Sequence, residues 1–364
     1  MKESYKAIEA ALKQYSRIAI IIKGSPDPDA LASSFVLKKI CEKLSIKAQI
    51  IATSELSLPQ NRLFVKKTGI PVEFVKSMPE SDKFDAYAVL DHQSSRVEGL
   101  TGAIPCVLHI DHHAKVSGEN HVDYEMLRED AGSTSTMLAL LLRDSGLEFD
   151  EETMRSMSTA LAYGIQTDTD RYMHADRIDY DAVSYITDYV DSDLIMKISN
   201  VPLSDKAISL LWKALENQFM YKDWLISGIG FVGETHRDSI AIIADFLLQK
   251  MDVPTVIVFA VIEKKDHQGL MLDASFRSIR ENLNLNDIIK EITTKGGGRK
   301  YKGAFQVNLD YFVHAPDRDL LWQLVQQTTV EILKKRRDGI YMTELRGFYN
   351  RIRDRINGMF NGED

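Results

Sequence analysis

Short apolar runs alternate with helical patterns through the first half of the chain. The runs with the length and composition of buried strands are Arg17–Ile22, Ala48–Ile51, Val72–Val75, Ala86–Leu90 and Cys106–Ile110. Apolar residues from Leu37 to Leu44 recur at the spacing of one helical face, in a helix that begins near Asp29. Further helical patterns cover Ser133–Leu142 and Glu151–Tyr163. This alternation predicts an α/β fold in which helices cover both faces of a largely parallel sheet.

A second unit follows a charged helical region that contains a break at Pro202. Its strand patterns are Ile226–Phe231, Thr255–Ile262 and Leu270–Phe276, and its helical patterns follow Asp238 and cover Leu285–Thr293. The tail predicts two amphipathic helices, Asp317–Arg337 and Thr343–Phe360. We therefore predict a first domain at 1–190, a helical linker at 191–222, a smaller α/β domain at 223–316 and a helical extension at 317–364.

Composition narrows the class of protein. A chain of 364 residues has room for two domains that each bury a core. Cys41 and Cys106 lie in apolar surroundings, as reduced core residues do, which predicts a cytoplasmic protein. The start of the chain has no secretory pattern, and no apolar run approaches the roughly 20 residues of a membrane span. A net charge of −8 argues against binding long duplex DNA but allows a short anionic ligand.

Acidic and imidazole side chains follow the ends of three strands and of one helical stretch. They are Asp27 and Asp29, then Asp91, then Asp111, His112 and His113, and finally Asp168. Because the carboxyl ends of parallel strands meet at one edge of a sheet, these side chains are expected to converge. Carboxylates with one or two imidazoles and no thiolate suit Mn²⁺ or Mg²⁺ better than Zn²⁺. The pattern predicts a hydrolytic metal site.

Each motif taken alone also fits a structural role. Asp27 and Asp29 beside two prolines are typical of a turn with a helix cap. The run Gly296–Gly298 is typical of a flexible turn, and Arg277 of a surface ion pair. The order in which the motifs occur favours the metal site.

These motifs resemble those of a known family. Pro26–Ser33, Leu90-Asp91, Asp111–His113 and Gly164–Thr169 resemble the four ordered motifs of the DHH phosphoesterase superfamily. Ala274–Ser278 and Gly296–Arg299 resemble the motifs of its DHH-associated substrate-binding domain. The resemblance covers about residues 17–315. Within the superfamily, the chain is similar to the short-oligoribonuclease and pAp-phosphatase type, which is also called exopolyphosphatase-related.

The resemblance implies two divalent ions, expected to be Mn²⁺ with Mg²⁺ as the alternative. Such a pair needs a bridging carboxylate, for which Asp91 is the candidate. Asp27 would bind the first ion, Asp29 and His112 the second, and Asp168 would complete the ligands. Asp111 is expected to orient the adjacent histidines and His113 to face the substrate phosphate.

The second domain would bind substrate through the motif residues Arg277, Ser278, Gly297, Gly298 and Arg299. Arginine forks match phosphate oxygens, and glycines let the backbone approach an anion.

The chain departs from the family pattern at two positions. Lys23 stands four residues before Asp27, where the family has a histidine, and Arg299 ends the glycine motif in place of another histidine. A protonated amine has no lone pair for a metal. Both one-ion and two-ion sites therefore stay open, and His92 is an alternative contact to metal or substrate.

The expected activity is metal-dependent hydrolysis of short linear oligonucleotides or dinucleotides to mononucleotides. Open alternatives with the same chemistry are a pAp 3′-phosphatase, a cyclic-dinucleotide phosphodiesterase and a polyphosphatase. An alternative of another class is a nucleotide-binding regulatory protein with impaired catalysis. The apolar pattern from Trp322 to Leu333 fits either helix packing or a homodimer face.

Overall fold

The computed structural model describes residues 2–56, 58–113, 121–264, 269–280, 283–298 and 301–360, with side chains of the last helix as far as residue 340. The chain forms two compact units, Met1–Val201 and Pro202–Asp364. Residues 191–222, which the sequence predicts as a linker, are divided between them. The reason is burial, because Ile198 packs into the core of unit 1 and Leu210 into a core of unit 2.

Unit 1 is built on a parallel sheet. Among its described residues the strands are β1 (Arg17–Ile22), β2 (Lys47–Ala52), β3 (Val72–Phe74), β4 (Ala86–Leu90), β5 (Cys106–Asp111) and β6 (Val122–Leu127). They lie side by side in the order β3-β2-β1-β4-β5-β6, and every neighbouring pair is parallel. The α/β class and the parallel sheet are thereby confirmed.

Among the described residues, helices bury one face of this sheet, while loop residues such as Phe84, Val97 and Leu100 bury the other, so the expectation of helices on both faces is wrong. The helices are α1 (Lys2–Leu12), α2 (Pro28–Lys43), α3 (Pro59–Thr68), α4 (Thr134–Ser145), α5 (Glu151–Asp168), α6 (Arg177–Ile186) and α7 (Ser192–Ser199). Side chains of β1 alternate between two cores: Ile18, Ile20 and Ile22 pack on one side, Ala19 and Ile21 on the other. A sheet buried on both faces exposes chemistry only at its edges and ends, so the carboxyl ends of β1, β4 and β5 carry the polar residues.

Unit 2 has a second, mixed sheet. Its described strands are β7 (Gln218–Tyr221), β8 (Trp224–Gly233), β9 (Thr255–Glu263), β10 (Leu270–Ser278), β11 (Gly296–Gly298) and β12 (Lys302–Asn308). Their order is β11-β12-β10-β9-β8-β7, in which β8 and β9 are parallel and the other neighbours antiparallel. The helices are α8 (Asp205–Glu216), α9 (Ser239–Lys250), α10 (Leu285–Ile292) and α11 (Arg318–Phe360).

Several local features differ from the sequence-based expectation, among them strand β7 at the end of the predicted helical linker. The tail is one continuous helix, α11, rather than two. Gly296–Gly298 forms strand β11, which pairs with β12, instead of a turn. Glycine is needed at Gly298 because a Cβ atom there would lie 2.3 Å from the carbonyl oxygen of Lys302 on the neighbouring strand. The edge strand β6 was not anticipated, since its polar residues hide the apolar pattern.

In the described part of the chain, no helix is long and apolar enough to cross a membrane.

Candidate metal centre

Asp27 and Asp29 begin helix α2 and have different contacts. Asp27 is the N-cap, and its side chain accepts a hydrogen bond from the Ala30 N–H at 2.9 Å. Asp29 is completely buried. Its carboxylate accepts hydrogen bonds from the backbone N–H groups of Thr134 at 2.8 Å and Ser135 at 2.6 Å, in the first turn of α4. The N-terminus of α4 thus stabilises a buried negative charge.

Gly164 allows helix α5 to approach this position closely. A Cβ atom there would lie 2.3 Å from Ser135 Oγ and 3.3 Å from the Cα atom of Asp29. Any larger residue would push α5 away from α2 and α4. Asp168 follows one turn later as the last residue of α5 and reaches the same cluster.

Asp91 directly follows strand β4 in a left-handed conformation, with φ of 54°. Its N–H donates to the Ile110 carbonyl at 3.0 Å, which extends the pairing between β4 and β5 by one residue. Its side chain is only 3% exposed. A left-handed conformation is unfavourable for most residues other than glycine, although aspartate and asparagine tolerate it better than others.

The end of strand β5 supplies two histidines with different roles. The His113 ring donates from Nδ1 to Oδ1 of the buried Asp111 at 2.6 Å. The His112 ring donates from Nδ1 to the Ala131 carbonyl at 3.3 Å. The Nε2 atom of His112 therefore turns toward the carboxylates. It lies 3.1 Å from Asp168 Oδ2, 3.5 Å from Asp91 Oδ1 and 4.0 Å from Asp29 Oδ2.

These side chains form two overlapping groups of metal-ligating atoms. One group is Asp29, Asp91, His112 and Asp168, and the other is Asp91, Asp111, His112 and His113. Within each group the ligand atoms lie within 4.8 Å of one another. Asp91 and His112 belong to both, so Asp91 lies where a carboxylate could contact two ions.

The His112 Nε2 atom shows that this cluster fits a cation. It is buried and has no hydrogen-bond partner, although three carboxylates surround it. Buried polar atoms are normally satisfied, and a metal-ligating histidine usually donates its other ring N–H to a carbonyl or carboxylate. The bond from Nδ1 to Ala131 has that form.

The cluster also has the electrostatics of a cation site. Burial and then the charge of Asp168 raise the pKa of Asp29 to about 6. Burial and the charges of Asp29 and Asp27 raise the pKa of Asp91 well above its ordinary value. Burial alone would lower the pKa of His112, but contacts with Asp168, Asp91 and Asp29 raise it to about 11. Without a metal, a proton on His112 offsets part of the crowded negative charge.

Asp111 behaves differently from the other buried carboxylates. Burial alone would raise its pKa, but the hydrogen bond from His113 and the charges of His113 and His112 lower it. It is therefore suited to hold His113 in one orientation.

Three residues near the cluster do not belong to either group. Asp27 caps α2, although its charge still acts on Asp91. The Lys23 ammonium donates to the Ser94 carbonyl at 2.8 Å. The His92 Nδ1 atom accepts the Ser94 N–H at 3.0 Å, and burial, followed by the charge of Lys23, lowers the pKa of His92.

The motif residues of unit 2 have specific structural contacts. Arg277 is 9% exposed, and its guanidinium donates to Asp245 at 2.5 and 3.3 Å, to Ser275 Oγ at 2.8 Å and to the Phe276 carbonyl at 2.8 Å. The Ser278 hydroxyl is buried against Thr255 Oγ1 at 2.9 Å.

The glycine motif of unit 2 is described only in part. Gly297 and Gly298 lie in β11, where the Gly298 N–H donates to Asn286 Oδ1 at 3.3 Å. Arg299 lies outside the described residues.

Sequence reasoning missed several residues that build the centre. Thr134 and Ser135 supply backbone donors to Asp29, and Ala131 supplies the acceptor for His112. Ser133, whose side chain accepts the Thr136 N–H at 3.0 Å, caps α4 and was a usable signal for a helix N-terminus. Nothing local in the sequence indicates that this terminus meets Asp29.

Comparison with known proteins agrees with this arrangement. The N-terminal domain of the DHH family matches residues 17–165, and the DHHA1 domain matches residues 223–327. The uncharacterized protein MJ1633 of Methanocaldococcus jannaschii is 29% identical over 317 residues, which are 85% of this chain and 62% of that protein. The uncharacterized protein MG371 of Mycoplasma genitalium is 24% identical over 173 residues, which are 46% of this chain and 49% of that protein.

The chain thus spans 62% and 49% of the length of these two curated relatives. Among solved structures, an exopolyphosphatase-related protein from Bacteroides fragilis is similar with a TM-score of 0.65 and 18% identity, covering 84% of this chain and 91% of that chain. This likeness establishes a shared fold. Since the DHH and DHHA1 domains follow one another over well over half of its length, the chain belongs to the DHH phosphoesterase superfamily.

Proposed function

We propose that this protein is a metal-dependent phosphoesterase that hydrolyses short linear oligonucleotides or dinucleotides to mononucleotides. The observation that carries the proposal is the buried His112 Nε2 atom, which has no hydrogen-bond partner and faces Asp29, Asp91 and Asp168. Mn²⁺ is the proposed metal, because carboxylates with imidazole and no thiolate suit it.

Asp29, Asp91, His112 and Asp168 would hold the metal, and Asp27 lies close enough to act on Asp91 through its charge. When bound, such ions polarise the phosphoryl group and provide a nucleophile at neutral pH. The Ala131 carbonyl keeps the His112 Nε2 atom directed at the carboxylates. The α4 backbone holds Asp29 in place through two hydrogen bonds.

His113 is proposed to contact the phosphate. Its Nδ1 is occupied by Asp111, so the other ring nitrogen is the one available to a substrate. The Asp111 carboxylate fixes the orientation of the His113 ring, so that Nε2 can contact a phosphate oxygen or the leaving group. Asp111 acts here as an orienting residue, because it contacts His113 rather than the reacting atoms.

Support for a small substrate comes from charge. The net charge of −8 disfavours the extended basic channel that long strands require. The motif resemblance to short oligoribonucleases favours a linear di- or oligoribonucleotide over the alternatives.

A substrate panel tests the proposal. Linear dinucleotides, short oligoribonucleotides, pAp, cyclic dinucleotides and polyphosphate would be incubated with the protein and added Mn²⁺, with the Asp91→Asn variant as the inactive control. We expect the highest kcat/KM on a linear dinucleotide or short oligoribonucleotide. Faster hydrolysis of another panel member would identify that compound as the substrate and would still support metal-dependent phosphoester hydrolysis. Tight binding of one member with no turnover of any would favour a regulatory protein, the class that Lys23 supports.

Arg277 is expected to contribute to substrate binding. Its guanidinium is already oriented by Asp245 and Ser275, so little side-chain entropy is lost when it binds a phosphate oxygen. Arg277→Ala should raise KM by roughly 10- to 100-fold, which corresponds to about 1.5–3 kcal/mol for a hydrogen bond to a charged group.

Two further variants make this measurement specific. Arg277→Lys keeps the positive charge but lacks the planar guanidinium with its paired N–H donors. Its KM should therefore lie between those of the parent and Arg277→Ala. Arg237→Ala removes another arginine that pairs with a carboxylate of β10, Asp273, and should leave KM unchanged. Equal KM values for the parent and Arg277→Ala would exclude Arg277 from substrate recognition.

A further inference from the structure

The turn from Asp91 to Ser94 is held by hydrogen bonds on several sides. Its first residue has a left-handed backbone with φ of 54°. Such a conformation persists only where surrounding contacts stabilise it. Because Asp91 belongs to both groups of ligating atoms, the orientation of this turn affects the whole candidate centre.

His109 forms a hydrogen bond with this turn. It lies in strand β5 and is completely buried. Its Nε2–H donates to the carbonyl of His92, the residue after Asp91, at 2.8 Å. Its other ring nitrogen lies 3.2 Å from Glu125 Oε1 on strand β6. The ring is therefore fixed from both sides and directs one donor at the turn.

The rest of the turn is restrained independently. The Lys23 ammonium donates to the Ser94 carbonyl at 2.8 Å, and the Ser94 N–H donates to His92 Nδ1 at 3.0 Å. The Asp91 N–H is bound to the Ile110 carbonyl. Of these contacts, the His109 bond acts on the peptide between His92 and Gln93, one residue after Asp91.

We propose that His109 is a positioning residue for the metal centre. By holding the His92 carbonyl, it keeps the backbone of Asp91 left-handed and its carboxylate directed toward His112. This role rests on the proposed function, in which Asp91 is a metal ligand. The hydrogen-bond partners of His109 are the His92 carbonyl and Glu125, so its removal should act on metal affinity through the turn.

Two pairs of changes test this role. His109→Gln keeps an N–H donor near the position of Nε2, whereas His109→Leu removes it at similar size. His109→Asn places its amide near the position of Nδ1 and cannot reach the His92 carbonyl. Thr68→Val, in helix α3, is the control for loss of a buried hydrogen bond of the same unit, since Thr68 Oγ1 donates to the Phe64 carbonyl at 2.7 Å.

The measurement is Mn²⁺ affinity of the full chain, by calorimetric titration and by loss of the free Mn²⁺ signal in electron paramagnetic resonance. We expect His109→Leu and His109→Asn to weaken affinity roughly 10- to 100-fold, the range seen when outer partners of metal ligands are removed. His109→Gln should lie within a few-fold of the parent, and Thr68→Val should equal it.

Several results would overturn the role. One is an unchanged Mn²⁺ affinity in folded His109→Leu, and another is a loss of affinity in His109→Gln as large as that in His109→Leu. A third is failure of both the Leu and Asn variants to fold, which would show that His109 contributes to stability alone. The titration uses no substrate, so a negative substrate panel would refute the proposed activity without touching this test. A parent protein that binds no Mn²⁺ would refute the metal site on which both depend.

Discussion

Asp91→Asn is expected to lower kcat/KM by at least about 10²- to 10³-fold. Asp91 is the carboxylate shared by both groups of ligating atoms, and a neutral amide there removes the charge that would hold a metal. Loss of metal alignment costs several kcal/mol of transition-state stabilisation, and each ~1.4 kcal/mol is tenfold in rate.

Asparagine is preferable to alanine because Asp91 has φ of 54°. Asparagine tolerates the left-handed conformation, so the backbone of the turn should be preserved. The burial that raises the pKa of Asp91 also means that a neutral side chain is not disfavoured there. Folding should therefore be unchanged or slightly more favourable in the metal-free state.

A matched control exists at the other end of the same strand. Asp85 precedes β4 and pairs with Arg17 at 2.7 Å on the surface. Asp85→Asn should keep parental kcat/KM and Mn²⁺ binding, since it lies at the opposite end of the strand. Asp91→Asn activity within a few-fold of the parent would refute the assignment of Asp91 as a ligand.

The second large effect is expected on thermal stability. Mn²⁺ at about 100 times its dissociation constant should stabilise the folded protein by about 2.7 kcal/mol, through binding to the native state alone. For a domain of 150–250 residues this corresponds to a Tm increase of roughly 5–10 °C. A chelator should reverse the increase, and Asp91→Asn should show little of it.

The Mn²⁺-dependent increase in Tm should become larger as pH rises. The pKa of Asp29 is raised to about 6 and that of His112 to about 11, so the metal-free folded site holds protons that the unfolded chain releases. Asp29 therefore favours the folded state below pH ~4 and loses this contribution as pH rises through about 6. His112 contributes fully below pH ~6.5, and its contribution is lost as pH rises toward about 11.

A metal ion must displace these protons when it binds. Its affinity therefore increases as pH rises, because the protons then dissociate more readily. The Mn²⁺-dependent gain in Tm should thus be smaller near pH ~5.5 than near pH ~8, because Asp29 is protonated at the lower pH. Differential scanning calorimetry with and without Mn²⁺ at both values measures it. Equal gains at the two pH values, or no effect of a chelator, would contradict the displacement of protons by metal.

The sequence by itself determined the class of fold and the family. Strand and helix periodicities are local, and an uninterrupted apolar run such as Ala86–Leu90 is typical of a strand buried on both faces, as this one is. The acids come at the carboxyl ends of parallel strands, which meet at one edge of any such sheet. For this reason the parallel sheet, the DHH and DHHA1 domains and the general region of the candidate centre could all be predicted from residue order.

Tertiary structure alone decided which atoms meet. Asp29 is bound by backbone donors more than a hundred residues away in sequence, at Thr134 and Ser135. Lys23 reaches the Ser94 carbonyl, and His109 reaches that of His92. These contacts depend on how the turns after different strands lie together at one edge, and no local periodicity encodes hydrogen bonds between segments so distant along the chain.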